Sequence, residues 1–405
     1  MPAAQPTLPE FLAEAEVWLS AHAERRPPES DLRYGDGSDS VAIFENLDGD
    51  ALRARVDTVR HWQQAKSDAG LGSIAWPTEY GGRGLPRSYE QAFRSLEEGF
   101  VTPLGHEAVG ITTDLVAPTI LTVGTAEQKA RYLEPMRRTD EMWCQLFSEP
   151  SAGSDLASVS TKAERHGDSW LLNGQKVWTS GAQFADFGYI LCRDDATAPR
   201  HGGLTAFIMA MDAPGVEVRP LRQMTGGTSF NEVFLTDVEL PDSARLGPVG
   251  EGWRVAITTL GFERASATKT AASGGDLFAR ATLVAKHRGR LADPVVRQAL
   301  MSVYIGGRVR SLTGRRTTDT LKSGGVPGPE GSIGKLAWTE GLRQLSDVMG
   351  LILGPALVAD TGEWGTYAWT EFLLGAPGFR IAAGSDEVQR NIISERVLGL
   401  PRDPR

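Results

Sequence analysis

The chain has 405 residues, 41% hydrophobic and 23% charged, a balance that fits packed globular domains and excludes disorder, collagen and coiled coil. Lys and Arg number 42 against 51 Asp and Glu, and the net charge of -9 argues against a general nucleic-acid binder while leaving room for a local basic patch around one phosphorylated ligand. No run approaches the roughly 18 uncharged apolar residues that span a bilayer, and the N-terminus (MPAAQPTLPEFLAEAEVWL) has no basic segment before an apolar core, so a cytoplasmic protein without membrane attachment is expected.

In chain order, residues 11–24, 50–70, 89–100 and 125–138 carry apolar side chains at three- and four-residue spacing and are predicted helices. Gly70, Gly72, Pro77, Gly81, Gly82 and Gly84 punctuate the connection between the second and third. From Met142 the texture changes to short alternating runs rich in β-branched and aromatic residues (169–181, 186–194, 204–211, 215–221, 231–240), which predict strands. Helical texture returns after Gly250 and Gly252 and continues through ISERVLGL, interrupted by KSGGVPGPE (322–330), read as a loop. The order helical, β, helical gives an α+β fold with domains at 1–140, 141–244 and 245–405. Cys144 and Cys192 have neither metal-ligand spacing nor disulfide density and are expected to be small buried apolar residues. The six histidines, His22, His61, His106, His166, His201 and His287, show no paired-ligand spacing, so no metal site is expected.

The most specific segment is WCQLFSEPSAGSDLAS (143–158), followed by NGQKVWTSGAQ (173–183). A turn rich in Ser and Gly exposes several N–H groups and hydroxyls together, which suits a phosphate, a ribityl chain or a polar ring edge; its plain alternative is the entry to a hairpin. With WPTEYGGRG, GTAEQKARYLEPM, EVFLTDVELP, GPVGEGW and GSDEVQRNIISERVLGLPR in the same order and spacing, the chain resembles the acyl-CoA dehydrogenase family over nearly its whole length. The resemblance implies an N-terminal helical domain, a middle β-barrel-like domain and a C-terminal four-helix bundle, with FAD between the β domain and the bundle. It also implies an oligomer, a homotetramer or homodimer, in which a neighbouring subunit touches that FAD.

Carried over to this sequence, the resemblance sets Phe147 and Ser148 along the flavin ring, Ser154 in a turn shared by cofactor and substrate, and Trp178 and Ser180 beside the isoalloxazine. It sets Ser385 and Glu387 near the adenine-side phosphates or ribose, and Gln298 among the cofactor-binding residues. An indole beside a flavin edge would stack and exclude water, although Trp178 taken alone reads as a core tryptophan at a strand end.

Family chemistry removes the α-proton of an acyl thioester to a carboxylate while the β-hydrogen leaves as hydride to the flavin. Many members place that carboxylate in a Tyr-Glu-Gly-Thr stretch; here it reads Ala382-Ala383-Gly384-Ser385, and Ala383 cannot take a proton. Other members carry the base in a Glu-Arg pair on the helix opening the C-terminal domain, matched by Glu263-Arg264. In helical geometry Ala256, Leu260, Ala267 and Thr270 share a stripe with Glu263, and no cation stands three or four residues away. Desolvation on such a face raises the affinity of the carboxylate for a proton toward the range useful for a general base; the competing reading is an exposed glutamate near a helix start. The Ala383 N–H can still serve the thioester carbonyl as an oxyanion donor, with Gly384 beside it at the substrate, and Arg264 resembles an arginine near CoA or else makes a packing salt bridge.

Two motifs depart from the family pattern. An Arg-x-x-Phe-Gly stretch that grips the FAD pyrophosphate becomes His287 to Pro294, where Arg288 takes that contact with Arg290 as alternative. A Gln-x-x-Gly-Gly-like element becomes Met349 to Pro355, and the two changes admit a heteromeric α2β2 assembly. The reading that follows is an FAD-dependent dehydrogenase of long, branched or bulky acyl-CoA with an electron-transferring flavoprotein as acceptor. A flavin oxidase or monooxygenase, or a non-catalytic partner subunit, are the alternatives.

Overall fold

The computed structural model describes residues 5–27, 32–44, 46–103, 105–270, 277–322 and 328–402. Backbone contacts divide the chain into two compact units, one of Met1–Pro27, Leu47–Arg222 and Thr228–Phe262, the other of Pro28–Asn46, Gln223–Gly227 and Glu263–Arg405.

In the first unit the helices are α1 (Leu8–His22), α2 (Gly49–Asp68), α3 (Arg87–Glu97), α4 (Glu107–Gly110), α5 (Ala117–Val123) and α6 (Ala126–Arg138). Two begin with reciprocal capping boxes, Thr7 with Glu10 and Thr125 with Gln128, so their first orphan N–H groups are satisfied locally. Phe11, Ala15 and Leu19 recur along one face of α1 and are fully buried, the periodicity that predicted the helix. The helical stretch from Glu107 to Val123 was not anticipated: Gly110, four threonines, Val116 and Pro118 weaken its propensity, and its middle, Ile111–Val116, is a wider π-helical turn. At the turn before α3, a Cβ on Gly82 would lie 2.1 Å from the Trp76 carbonyl oxygen, so only glycine fits there.

Eight strands follow: β1 (Trp143–Leu146), β2 (Lys162–His166), β3 (Ser169–Ser180), β4 (Phe187–Arg193), β5 (Leu204–Ala210), β6 (Val216–Leu221), β7 (Phe230–Pro241) and β8 (Arg245–Leu246). They form one mixed sheet in the order β6-β7-β3-β2-β4-β5-β8, with β1 parallel to β4. β4 and β5 are buried on both faces, and their alternation sorts side chains into two cores. Tyr189, Leu191, Ala206 and Ile208 pack with the helical residues Ile120, Leu133 and Val255, while Ile190, Cys192, Phe207 and Met209 pack with Trp170 and Val233. Cys144 and Cys192 are both free thiols at zero exposure, and burial pushes the Cys192 thiol up to about 12, so both behave as the small apolar residues expected.

The long helix α7 (Gly252–Thr270) begins in the first unit, and the division falls between Phe262 and Glu263. The second unit contains α8 (Leu277–His287), α9 (Pro294–Lys322), α10 (Gly331–Leu353), α11 (Ala368–Ile381) and α12 (Asp386–Ile392). Its core is built on Trp338, Leu342, Leu345, Met349 and Ile352 of α10, against Val284, Leu300, Trp369 and Phe372. Burying each such side chain contributes about 1.5–3 kcal/mol. Residues 32–44 pack into this unit: Tyr34 stacks on His287 at 3.5 Å, Val41 and Phe44 are buried, and Trp364 Nε1 donates to Gly37 O at 3.0 Å. The expected loop at 322–330 falls between α9 and α10, with 323–327 outside the described residues. Among the described residues no helix is long and apolar enough to cross a membrane.

Candidate active site

The Ser/Gly-rich segment leaves the end of β1 and turns back at once, Glu149 and Ala152 exchanging backbone hydrogen bonds at 3.0 Å in both directions. Phe147 is buried with its ring edge-on to Tyr189 at 5.0 Å, Ser148 is half-buried with its carbonyl accepting Val177 N–H at 2.9 Å, and Ser154 is exposed. The segment is anchored from beneath by an ion pair. Lys176 Nζ, with no exposed surface, donates to Glu149 Oε1 at 2.8 Å, Phe147 O at 3.1 Å and Leu191 O at 2.7 Å. Glu149 also accepts from Ser160 N, Ser160 Oγ and Thr161 N at 2.7–2.9 Å. Burial opposes ionisation of Glu149, but Lys176 and these donors outweigh it and hold the carboxyl at about 2. Neither residue of this pair was singled out from the sequence. The available signal was a lysine at an inward position between Gln175 and Val177 in a strand.

At the far end of β3 the register against β7 slips between Lys176 and Thr179, and Trp178 adopts a left-handed φ of 59°. Its side chain is 62% exposed, not the core tryptophan of the alternative reading, and touches the Phe230 ring edge-on at 6.0 Å. Ser180, half-buried, pairs with Phe230 across the strands, and the buried Thr179 Oγ1 has no hydrogen-bond partner among the described residues.

Glu263 lies well inside α7 and is half-buried, so the alternative of an exposed glutamate near a helix start does not describe it. One turn earlier Thr259 is fully buried, its hydroxyl 2.9 Å from that of Thr119 and 3.4 Å from Tyr189 Oη, which ties the first half of α7 to the sheet. The side chain of Arg264 lies outside the described residues.

In the second unit, α11 ends at Ile381 and the chain turns through Ala383 at φ 55° and Gly384 at φ 80° into α12, capped by Ser385 Oγ accepting Val388 N–H at 3.4 Å. The Ala383 N–H meets no acceptor among the described residues. Glu387 is exposed, 3.5 Å from Arg390, and its carboxyl is lowered by backbone N–H donation and the Ser385 hydroxyl. Arg288 is engaged by Glu363 at 2.8 Å, Arg290 by Asp293 at 3.3 Å and Leu351 O at 3.2 Å, and Gln298 is exposed on α9. Ala383, Gly384, Ser385 and Glu387 are thus contiguous at one turn, whereas no hydrogen bond among the described residues joins Arg288 or Gln298 to them.

Three family models match the chain: acyl-CoA dehydrogenase N-terminal domain over 47–140, middle domain over 144–238 and C-terminal domain over 250–398. Acyl-CoA dehydrogenase IpdE1 of Mycolicibacterium smegmatis is 36% identical over 416 residues, covering 97% of this chain and 98% of that protein. The chain belongs to the acyl-CoA dehydrogenase family. Acyl-CoA dehydrogenase IpdE1 of Mycobacterium tuberculosis is 38% identical over 353 residues, 85% of this chain and 89% of its own. The solved structure of the Tcur3481-Tcur3483 steroid ACAD matches with a TM-score of 0.78 at 26% identity, over 100% of both chains. As an acyl-CoA dehydrogenase the protein is an oxidoreductase of lipid metabolism in a family of FAD-binding flavoproteins, and its α+β fold is the one expected.

Its own groups fit that cofactor. A flat aromatic ring system needs a planar apolar face and scattered hydrogen-bonding groups at its edge. Trp178 offers an exposed indole on backbone strained away from the strand conformation, and the unpartnered Thr179 hydroxyl, Ser148 and Ser180 supply polar atoms beside it.

Proposed function

We propose that this chain dehydrogenates an acyl-CoA thioester at its α,β bond, with Glu263 as the base. The observation that carries the reading is the left-handed turn at Ala383, which bears no acid and whose N–H donates to no acceptor among the described residues. Such an N–H suits the oxygen of a thioester as negative charge develops on it, and with no carboxylate at position 383 the half-buried Glu263 is the candidate for the proton. Glu263 takes the α-proton, the β-hydrogen leaves with its electron pair, and a carbon–carbon double bond forms. When bound, FAD supplies the acceptor for that hydride. Phe147, Ser148, Trp178 and Ser180 would hold its ring and exclude water, Ser385, Glu387, Arg288 and Gln298 its adenine side, while Ser154, Arg264 and Gly384 would meet the substrate. An electron-transferring flavoprotein is the natural electron acceptor, and residues 1–140, 141–244 and 245–405 are the proposed domains of a cytoplasmic oligomer.

A small-residue run at Ala382-Ala383-Gly384 leaves room for a long, branched or polycyclic acyl group, and the similarity to a steroid ACAD supports a bulky one. The engagement of Arg288 by Glu363 favours a second reading, in which a complementary chain completes the FAD site and this one is a half-site subunit. Anaerobic titration with butyryl-, isovaleryl-, palmitoyl- and a steroid-bearing acyl-CoA, read by bleaching of oxidised flavin in wild type and Glu263→Gln, tests both. Bleaching by one class that the variant loses while still binding supports the dehydrogenase; colourless protein that gains flavin only with a second chain supports the half-site subunit; equal bleaching in the variant sinks Glu263 as base.

A further inference from the structure

The turn that presents the Ala383 N–H is held by a buried polar cluster to which the proposed chemistry gives no part. Lys335 on α10 is 7% exposed, and Asp386, the first residue of α12, is 1% exposed. Lys335 Nζ donates to Gly384 O at 2.9 Å and lies 3.6 Å from Asp386 Oδ1. Asp386 Oδ1 accepts from Thr339 Oγ1 at 2.7 Å and Oδ2 from Arg380 Nε at 2.8 Å. Gln389 Nε2 donates to the carbonyls of both Ala383 and Gly384 at 3.0 Å.

The cluster is costly. Two ions withdrawn from water seldom recover their hydration through mutual attraction alone, and a packed apolar pair of similar volume is often as stable. A left-handed backbone at a residue with a Cβ is also unfavourable and persists only where its surroundings over-determine it. Here the two costs meet: donors from α10 and α12 fix both carbonyls of the strained turn, so Ala383 is kept from relaxing out of its left-handed φ, and with the following backbone held that φ sets the direction of the peptide unit carrying its N–H. Asp386 completes the arrangement by neutralising the ammonium, at a helix start where negative charge is favoured.

We propose that Lys335 and Asp386 are positioning residues for the dehydrogenation, clamping the Ala383–Gly384 carbonyls so that the Ala383 N–H is aimed at the thioester oxygen of the substrate. The inference rests on the reading of that N–H as the oxyanion donor. It assigns Lys335 an effect on the reacting carbonyl without contact to it.

The test uses the FAD-loaded protein with Glu263→Gln as the parent, so that bound acyl groups stay unreacted, and the carbonyl stretch of 13C-carbonyl isovaleryl-CoA and palmitoyl-CoA measured by isotope-edited infrared spectroscopy. In the parent the stretch shifts to lower wavenumber on binding. Lys335→Met loses most of that shift, Lys335→Arg restores it, and the Kd stays within about threefold. With Glu263 intact, Lys335→Met lowers kcat about tenfold and leaves KM within about threefold, the pattern of an interaction strengthened in the transition state. Asp386→Asn, which keeps the shape of the side chain, carries the same expectation should Lys335→Met not fold. A parent with no shift for either probe overturns the reading of Ala383 itself. A parent shift that Lys335→Met and Asp386→Asn both retain in full overturns the positioning role alone, leaving the cluster as support for the fold.

Discussion

Lys176 Nζ stands 2.8 Å from Glu149 Oε1, the lysine with no exposed side-chain surface and the glutamate with 3%. The pair lies under the turn that carries Phe147 and Ser148, and it fills every donor and acceptor it can: three acceptors for the ammonium, and four donors for the carboxylate. Position 176 therefore shapes, from behind, the segment proposed to face the flavin.

Removing one partner is expected to be severe. Lys176→Met leaves a buried carboxylate without its counter-ion, and the cost is about 3–5 kcal/mol, whereas Glu149→Gln with Lys176→Met recovers part of it because no charge remains buried. Denaturant unfolding followed by circular dichroism checks the order; a single variant no weaker than the double would contradict the arrangement.

The same pair sets an acid limit. Lys176 and the three other donors hold Glu149 at about 2, below its ordinary 4.5, so the folded chain binds this proton less readily than the unfolded chain does. The stabilisation is fully present above pH 4.5 and is lost as the pH falls toward about 2, with a slope of about 1.4 kcal/mol per pH unit between those limits. Unfolding free energies measured from pH 6 to pH 3 should fall more steeply in wild type than in Glu149→Gln by that amount.

What the sequence made legible follows local physics. α1, α2, α3 and α6 were visible because their apolar spacing acts within a few positions, and β3, β4, β5 and β7 because alternation and β-branched residues do the same. Pattern alone misses what distant segments create. Residues 107–123 have weak propensity and are helical through packing of Val116, Ala117 and Ile120 into the core. Lys176 and Lys335 show no partner in the sequence until Glu149 and Asp386, far away along the chain, are brought to them. The left-handed backbone of Trp178 and Ala383 has no signature, since neither residue type favours it.

Glu263→Gln tests the base directly. It keeps the size and polarity of the side chain and removes its ability to take a proton, so kcat should fall about 10²–10⁴-fold with the acyl-CoA Kd nearly unchanged. Stopped-flow reduction at saturating acyl-CoA separates this from a binding defect.

The turn at 383–384 should respond unequally to two small changes. A Cβ on Gly384 would lie 2.8 Å from Gln389 Nε2 on backbone at φ 80°, so Gly384→Ala is expected to destabilise by about 1–2 kcal/mol and to slow turnover. Ala383→Gly relieves the strain at φ 55° but frees the unfolded chain, so its stability stays within about 1 kcal/mol of wild type. Thermal melts of both variants, paired with steady-state rates, give the comparison.

Trp178 is the residue whose role the fold explains least without a ligand. Its side chain is 62% exposed, its φ of 59° is unfavourable for a residue with a Cβ, and its described ring contact is one edge-on approach to Phe230 at 6.0 Å. A large apolar surface held in water on strained backbone adds little to folding, so Trp178→Ala should change the stability of the flavin-free chain by no more than about 0.5 kcal/mol. Loss of a ring contact worth about 0.5–1.5 kcal/mol beyond its buried area should instead appear in FAD retention, with Trp178→Phe intermediate. Flavin-to-protein ratios after gel filtration, set beside melts of the flavin-free variants, read the two effects separately. A variant that keeps its flavin and loses stability would return Trp178 to a structural role and move the ring-facing surface elsewhere on the sheet.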